Sequence, residues 1–506
     1  MKRSFALVLT VFALVLTPFG LLAQEGPERS LDQQINSMLE PIAFWSSKII
    51  FFEIPLGGGL GVPIVLVLLA GTAVFLTVYF KFINVRAFRL AIRTVQGKLT
   101  DQNAPGEITH FQALTAALSA TVGLGNIAGV AIAISFGGPG AVFWMVMMGL
   151  CGMTSKFCEC TLGVKYRVID AQGRVSGGAM YYLSRGLAEI GLGGFGRVLA
   201  VLFAIFCIGG AIGAGNMFQV NQAYSQFSEV TGLLKDQAWL FGLIVSLVIG
   251  AVIIGGIVGI ARVTSKLVPF MCGMYVIAAL VIVFSNLGEV PAALSRIVTE
   301  AFTPSAALSG GIVMVLIQGV KRAAFSNEAG VGSAPIAHAA VKTDKPASEG
   351  LVALLEPFID TVVVCTLTAL VILVTGTYDA NVGKEGIDGI ALTSEAFASV
   401  IPWFPVVLMV AVILFAFSTM ISWSYYGERA IVYLCGGARK GVLLGYRLFF
   451  CVCTVLGCSM TLTNVVTVSD ALFFAMVVPN LIGIYLLLPV VKRELASFIE
   501  SAKARS

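Results

Sequence analysis

The chain has 506 residues, of which 58% are apolar and 12% charged, with a net charge of +5. Soluble chains carry about 25% charged residues, so this composition cannot clothe a water-facing body of its size, and soluble enzymes and nucleic-acid binders are excluded. A mean hydropathy of +0.94 and 55 glycines predict a polytopic membrane protein with the bilayer as its partner, built from closely packed and interrupted helices.

Lys2 and Arg3 precede an apolar run from Phe5 to Leu22, and acidic residues begin at Glu25. This pattern predicts a signal peptide over residues 1–23, with an uncleaved first helix as the alternative. Residues 24–61 mix charges with short apolar runs and read as a periplasmic or interfacial segment. From residue 62 onward, apolar stretches long enough to cross about 30 Å of hydrocarbon recur. Eleven are expected, at 62–80, 112–134, 139–163, 198–226, 239–260, 267–285, 310–332, 351–376, 402–425, 441–458 and 467–490. The first is an extra helix followed by an amphipathic cytoplasmic segment to residue 98, and 491–506 reads as a cytoplasmic tail.

With the mature N-terminus outside, 25 of the 32 Lys and Arg fall on the inner connections and 5 on the outer ones, Lys2 and Arg3 lying in the leader. That asymmetry fixes the expected orientation, with a cytoplasmic C-terminus and an inner (plasma) membrane location.

Residues 112–285 and 310–490 hold five expected spans each. An odd number per half inverts the second half relative to the first, which is the organisation of many transporters. The leading span of the first half is interrupted by TVGLGNIAG at 121–129, and that of the second by SNEAGVGS at 326–333. Unwound backbone inside hydrocarbon is tolerated only where it is buried in protein or lines a cavity. A charge and amides at mid-membrane also need a role or a partner. Two interruptions at corresponding positions therefore predict a site between them.

The ten Cys form no CxxC and read as small core residues. With only His110 and His338, no HExxH and no GxSxG, neither a metal centre nor a membrane-embedded enzyme is expected. No cofactor is expected either. An ion channel remains the alternative of a different class, because interrupted helices also build filters.

VGLGN at 122–126 resembles the unwound first helix of sodium-coupled symporters with the leucine-transporter fold. SNEAGVGSAPIA at 326–337, with GNMFQ at 215–219 and FSTMISWSYYGE at 417–428, is similar to the alanine or glycine:cation symporter family of the amino acid-polyamine-organocation superfamily. The resemblance runs from about residue 62 to 490. It implies an all-α fold of eleven spans with a 5+5 inverted repeat and two broken helices, importing alanine or glycine with sodium by alternating access. Proton coupling is the alternative.

For such a substrate, the free amides of Gly123 and Gly125, next to Asn126, suit a carboxylate. Carbonyls around Phe325 and Ser326, with the side chain of Asn327, suit an ammonium. Asn216, Gln219, Gln222 and Gln226 recur about one turn apart on one helix face. The resemblance singles out Gln219 as a carboxylate ligand and Trp423 as the limit of the pocket, with Phe325 opposite. It further implies a sodium site from the carbonyls of Ser119 and Val122 and the hydroxyls of Ser418 and Thr419.

Among the remaining embedded charges, Lys156 and Glu159 are expected to pair with each other. Glu356 and Asp360 share a helix face, as either a proton relay or partners of Lys321 and Arg322.

Overall fold

In the computed structural model, residues 30–57, 60–99, 104–171, 173–235, 237–253, 256–303, 311–382 and 389–504 are described. The expected leader at 1–23 lies outside them. Ser30 and Gln33 form a capping box that starts α1 (Leu31–Ile50), whose Ile35, Leu39 and Ala43 face inward at a four-residue spacing. The opposite face exposes Phe44, Trp45 and Ile49. A short antiparallel hairpin, β1 (Glu53–Gly57) with β2 (Leu60–Pro63), leads into α2 (Ile64–Tyr79). Two small helices, α3 (Ile83–Arg86) and α4 (Phe88–Val95), follow.

The first expected interruption is present. Helix α5 (His110–Thr121) stops at Val122, which is extended, and α6 (Ala128–Gly137) resumes beyond it. The stop has a local cause: the Asn126 side chain accepts the Gly123 N–H at 2.8 Å, diverting it from the Ser119 carbonyl it would meet in a continuous helix. Helix α7 (Gly140–Lys165) is largely buried and packs against α2 and both elements of the second interruption. A two-residue hairpin, β3 (Val168–Ile169) with β4 (Val175–Ser176), follows α7. The two hairpins are the departure from an all-α fold; both sit outside the helices that frame the site.

Helix α8 (Gly193–Thr231) carries a π turn at Gly213–Met217, and α9 (Ala238–Val252), α10 (Gly256–Ser285) and α11 (Val290–Glu300) follow. The second interruption separates α12 (Gly311–Asn327) from the four-residue α13 (Pro335–His338). Between them Glu328, Gly330 and Gly332 all have positive φ (57°, 86° and 88°), a conformation that ends a right-handed helix. Pro335 stands at the first turn of the resumed helix.

Helix α14 (Pro346–Val374) also contains a π turn, at Phe358–Cys365. Then come α15 (Ile390–Val400), α16 (Phe404–Cys435), α17 (Lys440–Cys458), α18 (Leu462–Phe474) and α19 (Val477–Ala504). The stretch read as a tail at 491–506 is thus helical through Ala504. Among the described residues, seven helical stretches are long and apolar enough to cross a membrane, and Ile64–Tyr79, Ala128–Gly137, Ala238–Val252 and Ile390–Val400 are shorter apolar helices. The chain is a mostly helical multi-pass membrane protein.

Candidate functional site

The two interruptions meet. A side chain at Gly125 would come within 3.2 Å of the Ser326 Cα, and one at Gly123 within 2.5 Å of Thr419 Oγ1. Gly125 therefore lets the two backbones approach closely, and Gly123 makes room for the Thr419 hydroxyl. Asp360, in the π turn of α14, joins the two breaks: it accepts from Asn126 Nδ2 at 2.5 Å and from Ser326 Oγ at 2.8 Å. A π turn widens one helical turn and redirects side chains, which lets one carboxylate serve both breaks.

Beside this junction lies a small, partly enclosed void of about 10 Å³, room for about one water molecule. Thr121 and Gly125 line it from the first break, Phe325 and Glu328 from the second. Gln219 and Ala214 come from α8, and Trp423 and Phe473 from α16 and α18. A larger polar basin of about 500 Å³ opens beneath α1, where Asp32, Asn36 and Glu229 contribute. The basin is wide open and is bordered by neither break, whereas the small void is bordered by both, which makes the void the candidate site.

Gln219 connects two irregular segments. Its Oε1 accepts the Leu124 N–H at 3.3 Å, and its Nε2 donates to the Ala214 carbonyl at 3.0 Å beside the π turn of α8. The second Nε2 hydrogen stays available to a ligand. The N–H of Gly125, which is nonhelical and faces the same void, takes no partner within the described chain.

The expected residues separate into two groups. Gly125, Gln219, Phe325 and Trp423 line the void, whereas Gly123, Asn126, Ser326 and Asn327 are not among its lining residues. Asn126 and Ser326 are committed to Asp360. Asn327 donates to Thr361 Oγ1 and accepts from the Ala329 N–H, both at 2.9 Å, so its amide braces the second break. The positive φ of the next residue turns Glu328 into the wall instead, where the Trp423 indole donates to its Oε1 at 3.0 Å. Glu328 was legible as the one acid inside either interruption, though not as a lining residue. Thr121, Ala214 and Phe473 left no signal beyond their apolar segments.

Of the oxygens named for a cation, those of Ser119 and Ser418 lie together. Ser119 Oγ lies 2.5 Å from Ser418 Oγ and 3.0 Å from the Ser418 carbonyl, and Ser422 Oγ donates to it at 2.9 Å. Ser422, missed in the sequence, stands one turn after Ser418. Thr419 Oγ1 is buried without a hydrogen-bond partner, and the Ser119 carbonyl is released by the break. One orphaned hydroxyl, a released carbonyl and neighbouring hydroxyls, all neutral and buried, fit the donor set of a hard monovalent cation.

The embedded charges pair differently from the sequence-based expectation. Lys156 Nζ lies 3.1 Å from Glu356 on α14, while Glu159 accepts from Asn480 at 2.6 Å; each finds its partner across a helix interface rather than on its own helix. His338 bridges Glu349, at 2.5 Å, and Glu356, and His110 joins Glu349. Neither Glu356 nor Asp360 meets Lys321 or Arg322, which both pair with Asp470 of α18. Arg167, also unforeseen, donates to the carbonyls of Pro105, Ala339, Val341 and Thr343. It thereby ties the chain after α13 to the approach of α5.

The model of the sodium:alanine symporter family matches residues 56–506. The chain belongs to that family. It is 42% identical to the sodium/alanine symporter AgcS of Methanococcus maripaludis over 441 residues, covering 87% of this chain and 95% of that protein. It is 35% identical to the probable sodium/glutamine symporter GlnT of Bacillus subtilis, over 87% and 89% of the two chains. The crystal structure of MhsT in complex with L-phenylalanine superposes with a TM-score of 0.57 at 13% identity, over 76% of this chain and 89% of that one. The fold is therefore of the leucine-transporter type, and this symporter-family protein is a carrier rather than an enzyme.

Proposed function

We propose that this family member carries a small neutral amino acid, alanine or glycine, into the cell together with sodium by alternating access. The observation that supports this reading is the small void between two helix breaks, adjoined by a seam of hydroxyls and a released carbonyl. The bulk of the aromatic side chains of Phe325, Trp423 and Phe473 around it favours a short side chain, although relatives are named for both alanine and glutamine.

In this reading the Gly125 amide and the free Nε2 hydrogen of Gln219 take the substrate carboxylate, and carbonyls at the end of α12 take the ammonium. Gly123, Asn126, Ser326 and Asn327 shape the breaks. Sodium, as a transported ion, meets the oxygens of Ser119, Val122, Ser418 and Thr419. Bound there, it joins α5 to α16 and favours the substrate-ready break, so sodium and substrate raise each other's affinity by the same factor.

The wider architecture we propose has eleven spans in the inner membrane, with inverted repeats at 112–285 and 310–490 and a cytoplasmic C-terminus. The charge asymmetry supports that orientation. A phosphatase fusion at Ser506 should be inactive; activity outside the cytoplasm would reverse it.

Uptake of labelled alanine into proteoliposomes tests the function. A sodium gradient should drive accumulation that unlabelled glycine competes away. Accumulation driven by a pH gradient alone would transfer coupling to protons, and many-ion currents without saturation would indicate a channel.

A further inference from the structure

The stretch SNEAGVGS does more than interrupt a helix. Glu328 follows the last helical residue and has a φ of 57°, one of four non-glycine residues with positive φ among those described. That conformation swings its side chain off the axis of α12 and into the wall of the void. The chain then passes through Gly330 and Gly332, also at positive φ, and folds back so that the Ser333 hydroxyl donates to Glu328 Oε2. Side chains at these glycines would run into Leu69 and Asn480, respectively. The loop thus presents one carboxylate oxygen to its own serine and leaves the other facing α16, where the Trp423 indole N–H takes it at 3.0 Å.

The other sides of that indole are packed. Gly215, in the π turn of α8, leaves room for its root: an added Cβ there would lie 2.3 Å from Trp423 Cβ and Cγ. Tyr426 and Phe473 stand at ring-centroid distances of 5.3 and 6.0 Å. These contacts fix where the ring lies, and the buried indole N–H, which needs an acceptor, is bonded among the described residues to Glu328. The acceptor decides the rotation of the indole.

We propose that Glu328 is a positioning residue for substrate size: by accepting the Trp423 N–H it holds the indole as a wall of the void and so excludes long side chains. This rests on reading the void as the substrate site. The loop's composition suits that role, with an acid at the turn, two glycines for the return and a serine to occupy the second oxygen.

The test uses the full-length protein, reconstituted, with competition of labelled alanine by unlabelled alanine and leucine. Glu328→Ala should lower the ratio of the leucine to the alanine inhibition constant by about tenfold or more, the scale at which pocket walls discriminate side-chain size. Glu328→Gln, whose amide oxygen still accepts from the indole and whose amide N–H still reaches Ser333, should keep the ratio within about threefold of the parent. Trp423→Phe should shift the ratio in the same direction as Glu328→Ala, and the double variant no further, because both remove one contact. An unchanged ratio in Glu328→Ala, or an equal loss of discrimination in Glu328→Gln, overturns the proposal. Should Glu328→Ala not fold, Glu328→Asp, which withdraws the carboxylate by one methylene, should give an intermediate ratio; a parental one overturns it equally.

A second readout needs no transport. With the other four tryptophans replaced by Phe, the emission of Trp423 should become more quenchable by acrylamide in Glu328→Ala than in Glu328→Gln. Equal quenching removes the anchor. Failure of the unmodified protein to bind any small amino acid overturns the functional reading instead.

Discussion

The two helix breaks are built from opposite materials. The first is neutral: two glycines, an asparagine that accepts the Gly123 N–H, and the nearby hydroxyls of Ser119, Ser418, Thr419 and Ser422. The second is charged: Glu328 lies inside it, and α13 follows with His338 between Glu349 and Glu356, backed by Lys156. A neutral break leaves amides and oxygens for ligands to use. In the charged break the side-chain polar atoms are spent on one another, as buried charges require, and its side chains reach the void as a shaped wall. One carboxylate, Asp360, holds the two in register.

This contrast can be broken experimentally, and the largest effects belong to the charged side. Lys156→Met strands Glu356 with only His338 as a partner and should cost about 3–5 kcal/mol, the loss expected when one member of a buried pair is removed. Thermal unfolding in detergent measures it; a loss below about 1 kcal/mol would show that the charged side needs its ions no more than a surface would. Asp360→Ala strands the Ser326 donor and leaves Asn126 Nδ2 the carbonyl of residue 360, and should cost about 3 kcal/mol, with uptake lost as the breaks separate. Full uptake in a folded Asp360→Ala protein would deny the bridge.

On the neutral side the effects fall on ligands. Gln219→Ala should raise the alanine dissociation constant by about tenfold to a hundredfold, the equivalent of about 1.5–3 kcal/mol for a hydrogen bond to a charged group. Calorimetry checks this, and unchanged affinity would remove Gln219 from the site. Thr419→Val keeps the shape and deletes the orphaned hydroxyl. It should raise the half-saturating sodium concentration by about tenfold, or about 1.4 kcal/mol, and alter alanine affinity at saturating sodium much less. Superimposable sodium titrations would exclude that oxygen.

The smallest effect is expected at Asn327, whose amide faces Thr361 and Ala329. Asn327→Ala should cost about 1 kcal/mol of stability and change alanine affinity by less than about threefold, or about 0.7 kcal/mol. A larger change in affinity would return the residue to the void.

Much of this is legible in the amino-acid sequence. Composition establishes the membrane, and Gly123, Gly125 and Asn126 locate the first break because these residues weaken or compete with helical hydrogen bonding. The gathering of Ser119 and Ser418 is expected through the family resemblance rather than from spacing. What misleads is direction. Asn327, expected at the ammonium, ends α12 with its amide held by Thr361 and the Ala329 N–H, and the positive φ of Glu328 takes the next side chain off the helical path to Trp423. The pairing of Lys156 with Glu356 rather than Glu159 is hidden for a related reason, since the nearest partner lies on another helix.

The sequence by itself determined that the chain crosses a membrane repeatedly, where its helices are interrupted and which polar residue types stand there. These properties are local, set by hydrophobicity, by glycine and by side chains that bond to their own backbone. The tertiary structure alone decided which polar groups consume one another and which face the void. That outcome depends on the turn taken at each break and on what the neighbouring helices bring within hydrogen-bonding distance, about 3 Å.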